Sequence, residues 1–334
     1  MTKVILPVHN TIIDTFNIYG SITSIISNNE KCFTWIYNNF IQLRYVYDWN
    51  TVFFDNHHLL MDNCPWLNHH VIPKFIVQQK WNCLTQFIKE SLDNGSYVYL
   101  YIDRFHLSAS KSNFKKKSNL HEIFIYGYNN ESEEFFIADN LAYGKYIRAV
   151  CTFEEIEKGY AAINSEKFPY ISSDNPFFHN IHLFNLKEEK EYNINIPQIA
   201  ESIKNYLDSA PSIDLSFKEK TLFGQESIYF SVNRFEDQKP EPLDIRAFHL
   251  FWEHKKLMVD RINYLIKENY LSDCNYFVEN YKSICDSFEY IRNMALKYNI
   301  TQDLKLFYKI QLRVRDVLKE EMSVLNEVRD NLVV

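Results

Sequence analysis

Several signatures are missing from this sequence, and each absence removes a class of function. The six cysteines (Cys32, Cys64, Cys83, Cys151, Cys274 and Cys285) are scattered without CxxC spacing, which argues against a structural zinc site and against a disulfide framework. Reduced thiols in a cytoplasmic protein are their simplest explanation. No run approaches the about 18 consecutive apolar residues of a membrane helix. The opening MTKVILPVHNTIIDTF lacks the basic region, uninterrupted apolar core and small-residue cleavage site of a secretory signal. A cytoplasmic protein with no membrane partner is expected. Positive charge is not in excess either: the net charge is −7, whereas duplex nucleic-acid binding needs clustered cations to release phosphate counterions. Glycine and alanine are scarce beside Phe, Tyr, Asn, Ile and Lys, a bias of AT-rich coding sequence, so the aromatic content is not read as a ligand cage. The 334 residues with 46% hydrophobic content are enough for one large or two modest domains.

Helical patterns come first along the chain. Ile22, Ile25 and Ile26 recur at helical spacing after Tyr19-Gly20-Ser21, with Ser21 or Asn17 as a cap. Cys32 to Tyr45 places Phe33, Ile36, Tyr37, Phe40 and Leu43 on one stripe, and Lys74 to Leu92 reads as a further helix stopped by Asn94-Gly95. YVYLYID from Tyr97 to Asp103 is dense in β-favouring residues and reads as a central strand. A strand over Ala149 to Thr152 follows, then a helix at Phe153 with Thr152 as cap and Glu155 at the capping-box position. Beyond Pro169, His182 to Leu186, Glu191 to Ile196 and Ser227 to Val232 read as extended, and Pro197 to Leu207 as helical. After a charged, proline-bearing linker at Glu236 to Pro242, three long amphipathic helices are expected over Asp244–Ile266, Asn275–Tyr298 and Gln302–Leu332, antiparallel because their connections are short. Helices first and sheet after is α+β order, not alternating βαβ.

The stretch SNLHEIFIYGYNNESEEFFIADN, from Ser118 to Asn140, carries the candidate chemistry. His121 opens an apolar alternation that runs into the turn composition Gly127, Asn129 and Asn130, and Phe135 to Asp139 returns. A turn around Asn130 to Ser132 puts Asp139 opposite Ile123, on the face of His121. Diagonal neighbours across strands lie about 7–8 Å apart, within reach of a His–Asp hydrogen bond. The competing reading is a pair of plain polar residues at a sheet edge. Other histidines carry less. His57, His58, His69 and His70 fit no ligand spacing, and His249, Glu253 and His254 make HxxxEH, one residue out of the zinc signatures, on what reads as an ordinary amphipathic helix. No metal and no cofactor is expected. The one basic cluster, Lys111 to Lys117, reads as a solvated loop.

A short first helix, a further helical part, then a sheet with His at the head of one strand and Asp on the next resembles the papain-like cysteine protease superfamily. The run His121-Glu122-Ile123-Phe124-Ile125-Tyr126-Gly127-Tyr128 followed by Ala138-Asp139 resembles its bacterial branch, which includes bacteriocin-leader peptidases, the butirosin biosynthesis protein H type of acyltransferase and closthioamide-forming amide synthases. Leu250 to Met258, LFWEHKKLM, is similar to the C-terminal helical domains of that group. The resemblance implies a papain-like domain over 1–170, a mixed extension over 171–240 and an antiparallel helical domain over 241–334. It implies His121 as general base, Asp139 as its orienter and Asn17 in an oxyanion or positioning role. The reaction implied is amide formation from a carrier-protein thioester and a small-molecule amine in nonribosomal specialised metabolism, with Lys115, Lys116 and Lys117 steering the acyl- or peptidyl-carrier protein.

The nucleophilic cysteine of that pattern belongs at the start of the first helix, where this chain reads NIYGS over Asn17 to Ser21. Three readings stay open: Ser21 fills the slot, Cys32 is the nucleophile in a shifted architecture, or the nucleophile is lost. A non-catalytic papain-like protein that binds a carrier domain or acyl intermediate is the alternative function, and a peptidase the second alternative.

Overall fold

The computed structural model describes residues 2–142, 144–164, 166–168, 176–187, 191–211, 220–236, 239–272 and 275–333. In chain order the elements are β1 (Lys3–Ile5), α1 (Asn17–Ile26), α2 (Cys32–Asn39), β2 (Leu43–Val46), β3 (Thr51–Phe54), α3 (Leu60–Asn63), β4 (Leu67–Pro73), α4 (Lys74–Lys80), α5 (Leu84–Asp93), β5 (Tyr97–Asp103), β6 (Leu120–Asn129), β7 (Glu134–Ala142), β8 (Lys145–Thr152), α6 (Phe153–Ala161), β9 (Asn180–Leu186), α7 (Ile196–Leu207), β10 (Thr221–Phe223), α8 (Gly224–Val232), β11 (Phe235–Glu236), β12 (Lys239–Pro240), α9 (Ile245–Lys267), α10 (Asn275–Thr301) and α11 (Leu304–Asp330). Every strand pairing among the described residues is antiparallel, so helix and antiparallel sheet combine in an α+β fold. No described helix is long and apolar enough to cross a membrane. The chain divides into two units, Met1–Cys32 with Met61–Glu191, and Phe33–Leu60 with Tyr192–Val334. The sequence-based boundary at 170 lies within 169–175, outside the described residues.

In the first unit the sheet runs β4-β9-β5-β6-β7-β8, and β1 adds to β6. All seven residues of β5 are buried, as a strand covered on both faces requires. Helices α5 and α6 pack Leu84, Phe87, Ile88, Leu92, Ile156 and Tyr160 against Val98, Leu100, Ile102, Ile123, Ile125 and Ile137. Helix α1 rests on β6 and β7. The pairing of β6 with β7 shifts between Ile125 and Gly127, so Tyr126 is an extra residue in β6. That bulge decides the face of Asp139. Counting from Asn129↔Glu134 without it would set Asp139 opposite Phe124; with it, Phe124 pairs Ala138 and the next position sets Asp139 opposite Ile123, in phase with His121. Gly127 beside the bulge cannot carry a side chain, because a Cβ there would lie 2.5 Å from the Val4 carbonyl of β1.

Several elements depart from the sequence pattern. Helix α1 begins at Asn17 with Phe16 as an N-cap that makes no side-chain bond, so neither Ser21 nor Asn17 caps it. The stripe from Cys32 stops at Asn39, because Leu43–Val46 is wholly buried as a strand between β10 and β3. The helix expected over 74–92 breaks at Trp81, whose backbone is extended and whose indole donates to Glu90 Oε2 (2.7 Å) while packing edge-on to Phe87. Residues 191–195 form no strand; Asn195 instead caps α7 by accepting from the Gln198 N–H. Ser227–Val232, expected to be extended, is helical. Ile228 and Val232 bury one face four residues apart, and the hydroxyls of Ser227 and Ser231 bond back to the carbonyls of Gly224 and Ser227. The capping box at Thr152 and Glu155 forms as expected, and β8 starts earlier than the expected Ala149.

The second unit contains the three long helices, close to their expected bounds, with α10 packed on both α9 and α11. It also holds the sheet β10-β2-β3. Lys255 and Glu321 are fully buried and paired at 2.6 Å, with Tyr206, Tyr281 and Gln225 completing the hydrogen bonds of the carboxylate. The buried His254 ring bonds the Ile41 carbonyl through Nε2 (2.7 Å), the core role its amphipathic helix suggests.

Candidate active site

The pairing of β6 with β7 runs to Phe124/Ala138, and the first residue of α1 reaches carbonyls of both strands at that end. Asn17 Nδ2 donates to Asp139 Oδ1 at 2.6 Å and lies 3.4 Å from the Ala138 carbonyl and 3.5 Å from that of Glu122. Asp139 is fully buried, and a buried carboxylate is costly unless charge and hydrogen bonds compensate it. Both are present. The Asn140 N–H donates to Oδ1 (2.6 Å), and Arg104 grips Oδ2 through Nε (3.1 Å) and Nη2. Arg104 is aimed by the tight 3₁₀ turn that ends β5, where the Asp103 side chain accepts from the Phe105 N–H.

His121 lies at the head of β6 with 27% of its side chain exposed. Its Nδ1 faces three oxygens: the Glu122 carbonyl at 3.1 Å, Glu122 Oε2 at 3.1 Å and Asp139 Oδ1 at 3.4 Å. Three acceptors and no donor require a proton on Nδ1, which leaves the lone pair of the neutral ring on Nε2. Among the described residues Nε2 has no hydrogen-bond partner. Glu122 is held in turn by the Tyr101 hydroxyl, which donates to Oε1 at 2.9 Å. The arrangement is a base nitrogen open to an incoming molecule, with two carboxylates behind it to stabilise an imidazolium.

The candidate nucleophiles are placed differently. Ser21 is fully buried one turn into α1; its Oγ donates to Asn17 Oδ1 (2.7 Å) and lies 3.2 Å from the Tyr146 hydroxyl, with no bond to His121. The Tyr146 ring lies over Gly20, where a Cβ would sit 2.6 Å from it. Burial pushes the Tyr146 phenol pKa up, so it remains a neutral donor. Cys32 opens α2, fully buried, and burial followed by the nearby Cys64 pushes its thiol up to about 12. Such a thiol is the opposite of an activated one. Asn17 turns its amide into Asp139 and the strand carbonyls, a positioning contact that occupies both amide hydrogens.

Lys115, Lys116 and Lys117 are exposed on a turn beside the site. Its backbone is tied to the turn that carries Arg104, since the Lys115 N–H donates to the Phe105 carbonyl (2.9 Å). His69 is engaged by Asp62 on Nδ1 and by His182 on Nε2, each at 2.8 Å.

Arg104, Glu122, Tyr101 and Tyr146 escaped the sequence reading. Glu122 adjoins His121 and carried a signal, a second carboxylate next to the candidate base. Arg104, 35 positions from Asp139, carried none. Compared with known proteins, the chain matches no family model and no curated sequence.

Proposed function

We propose that the chain is a papain-like acyl-transfer protein that forms amide bonds from carrier-protein thioesters in specialised metabolism, in the cytoplasm, with His121 as general base. The observation that carries this reading is the His121–Asp139 pair: a partly exposed imidazole with its lone pair on Nε2, backed by a buried carboxylate that Arg104 and Asn17 hold in place. Nε2 takes the proton of the attacking nucleophile, and Asp139 with Glu122 stabilises the imidazolium. General-base catalysis of this kind contributes about 10²–10⁴-fold. The exposed lysines at 115–117 give an acidic carrier protein a complementary surface beside the site. The test is amide formation from an acyl carrier thioester and an amine, followed by mass spectrometry. Product with wild-type protein and a loss of at least about 100-fold in His121→Ala supports the reading; equal rates refute it.

A second reading, a non-catalytic protein that holds an acyl carrier, draws on the burial of Ser21 and its bond to Asn17. Saturable binding of the carrier thioester without turnover would favour it.

A further inference from the structure

We infer that the transfer at this site is direct: His121 deprotonates the acceptor amine while donor thioester and acceptor are bound together, and no acyl group is attached to the protein. The inference rests on the acyl-transfer reading and specifies its route.

Three observations carry it. The first is the state of the thiols among the described residues, which leave out Cys274. Burial pushes Cys32 and Cys64 up to about 12 and Cys285 to about 11, and raises Cys151 as well, so none ionises near neutrality. Cys151 pairs with Phe135, four residues along β7 from Asp139, about 13 Å at the rise of a strand. Cys83 is exposed at the start of α5 and makes no hydrogen bond to His121. The second is the hydroxyl of Ser21. A serine nucleophile must give its proton to the imidazole, and this one gives it to Asn17 Oδ1 inside α1, under Tyr146. The third is His121 itself, whose Nε2, in contrast to Nδ1, has no hydrogen-bond partner among the described residues. A base of that kind serves a nucleophile that arrives with the substrate.

The step balances without a co-reactant. The amine nitrogen attacks the thioester carbonyl carbon, forming the C–N bond. One N–H proton passes to His121 Nε2. The C–S bond breaks, and the departing sulfur takes that proton from the imidazolium, leaving a free thiol, an amide and a neutral histidine. Glu122 and Asp139 lower the energy of the imidazolium between the two transfers. Requiring both substrates at once also makes the amine part of the site, so the donor alone is not consumed by a covalent half-reaction.

The experiment uses the full chain with acetyl-N-acetylcysteamine thioester as donor and benzylamine as acceptor. Initial rates are measured with both concentrations varied, and the intact protein mass is read during turnover. Intersecting double-reciprocal lines, an unmodified protein mass and an unchanged rate in Cys83→Ser are expected. Parallel lines, or an acetylated protein that yields amide when benzylamine is added, would overturn direct transfer while leaving the acyl-transfer reading intact. No amide from the wild-type protein would refute the acyl-transfer reading itself.

Discussion

Replacing Arg104 by methionine removes the cation from a carboxylate that has no access to water. The Asp139 side chain is 0% exposed and that of Arg104 8%. After the change Oδ1 keeps its bonds from Asn17 and the Asn140 N–H, whereas Oδ2 loses both donors. Breaking a buried pair by removing one partner costs about 3–5 kcal/mol, against about 0–1 for an exposed pair. Because half the carboxylate remains satisfied, the lower end, about 3 kcal/mol, is expected. The assay is urea unfolding followed by circular dichroism, with Arg104→Met, Asp139→Leu and the double variant forming a cycle. The double variant should be more stable than Arg104→Met alone, since it leaves no uncompensated charge. A loss below about 1 kcal/mol in Arg104→Met, or a double variant whose losses simply add, would refute the claim that Arg104 compensates the buried charge.

Acid sensitivity should localise to His182. Burial, and then the neighbouring His69, pushes its ring down to about 4, from about 6.5 unfolded. The folded state therefore binds fewer protons than the unfolded one between those values. The contribution, about 3 kcal/mol, is present above about pH 6.5 and is lost as pH falls towards about 4. Unfolding free energies measured across that window should flatten in His182→Gln, and an unaltered acid slope would contradict this. Gly20→Ala drives a methyl into the Tyr146 ring and should cost about 1–3 kcal/mol; a neutral change in thermal midpoint would mean the ring moves aside freely. Reversing the charges of Lys115, Lys116 and Lys117 should slow carrier association at low salt and matter little at high salt. Stopped-flow on-rates independent of salt and of these residues would remove them from docking.

Much of the site was legible because period-2 alternation and a polar turn fix a hairpin, and a hairpin places its polar end residues. The reach of His121 towards Asp139 follows from that pattern, yet it depends on an extra residue at Tyr126 that the pattern does not announce. Arg104 was hidden because it arrives through a turn at the end of another strand. Ser21 shows a different limit. A helix beginning near it was readable, but Ser21 was expected as a cap and lies one turn inside α1, and the direction of its hydroxyl is set by Asn17 and Tyr146, the latter 125 residues away. The helical Ser227–Val232 was hidden for a related reason, since a short apolar run fits strand and helix alike until its buried face is known.

That His121 is the base is tested most directly by the kcat/KM for amide formation from an acyl thioester and an amine, compared between wild-type protein and His121→Gln. The glutamine keeps polarity and approximate size but cannot take up a proton at neutral pH. A fall of about 10²–10⁴-fold with the fold intact by circular dichroism is predicted, and equal rates in the two proteins would contradict it.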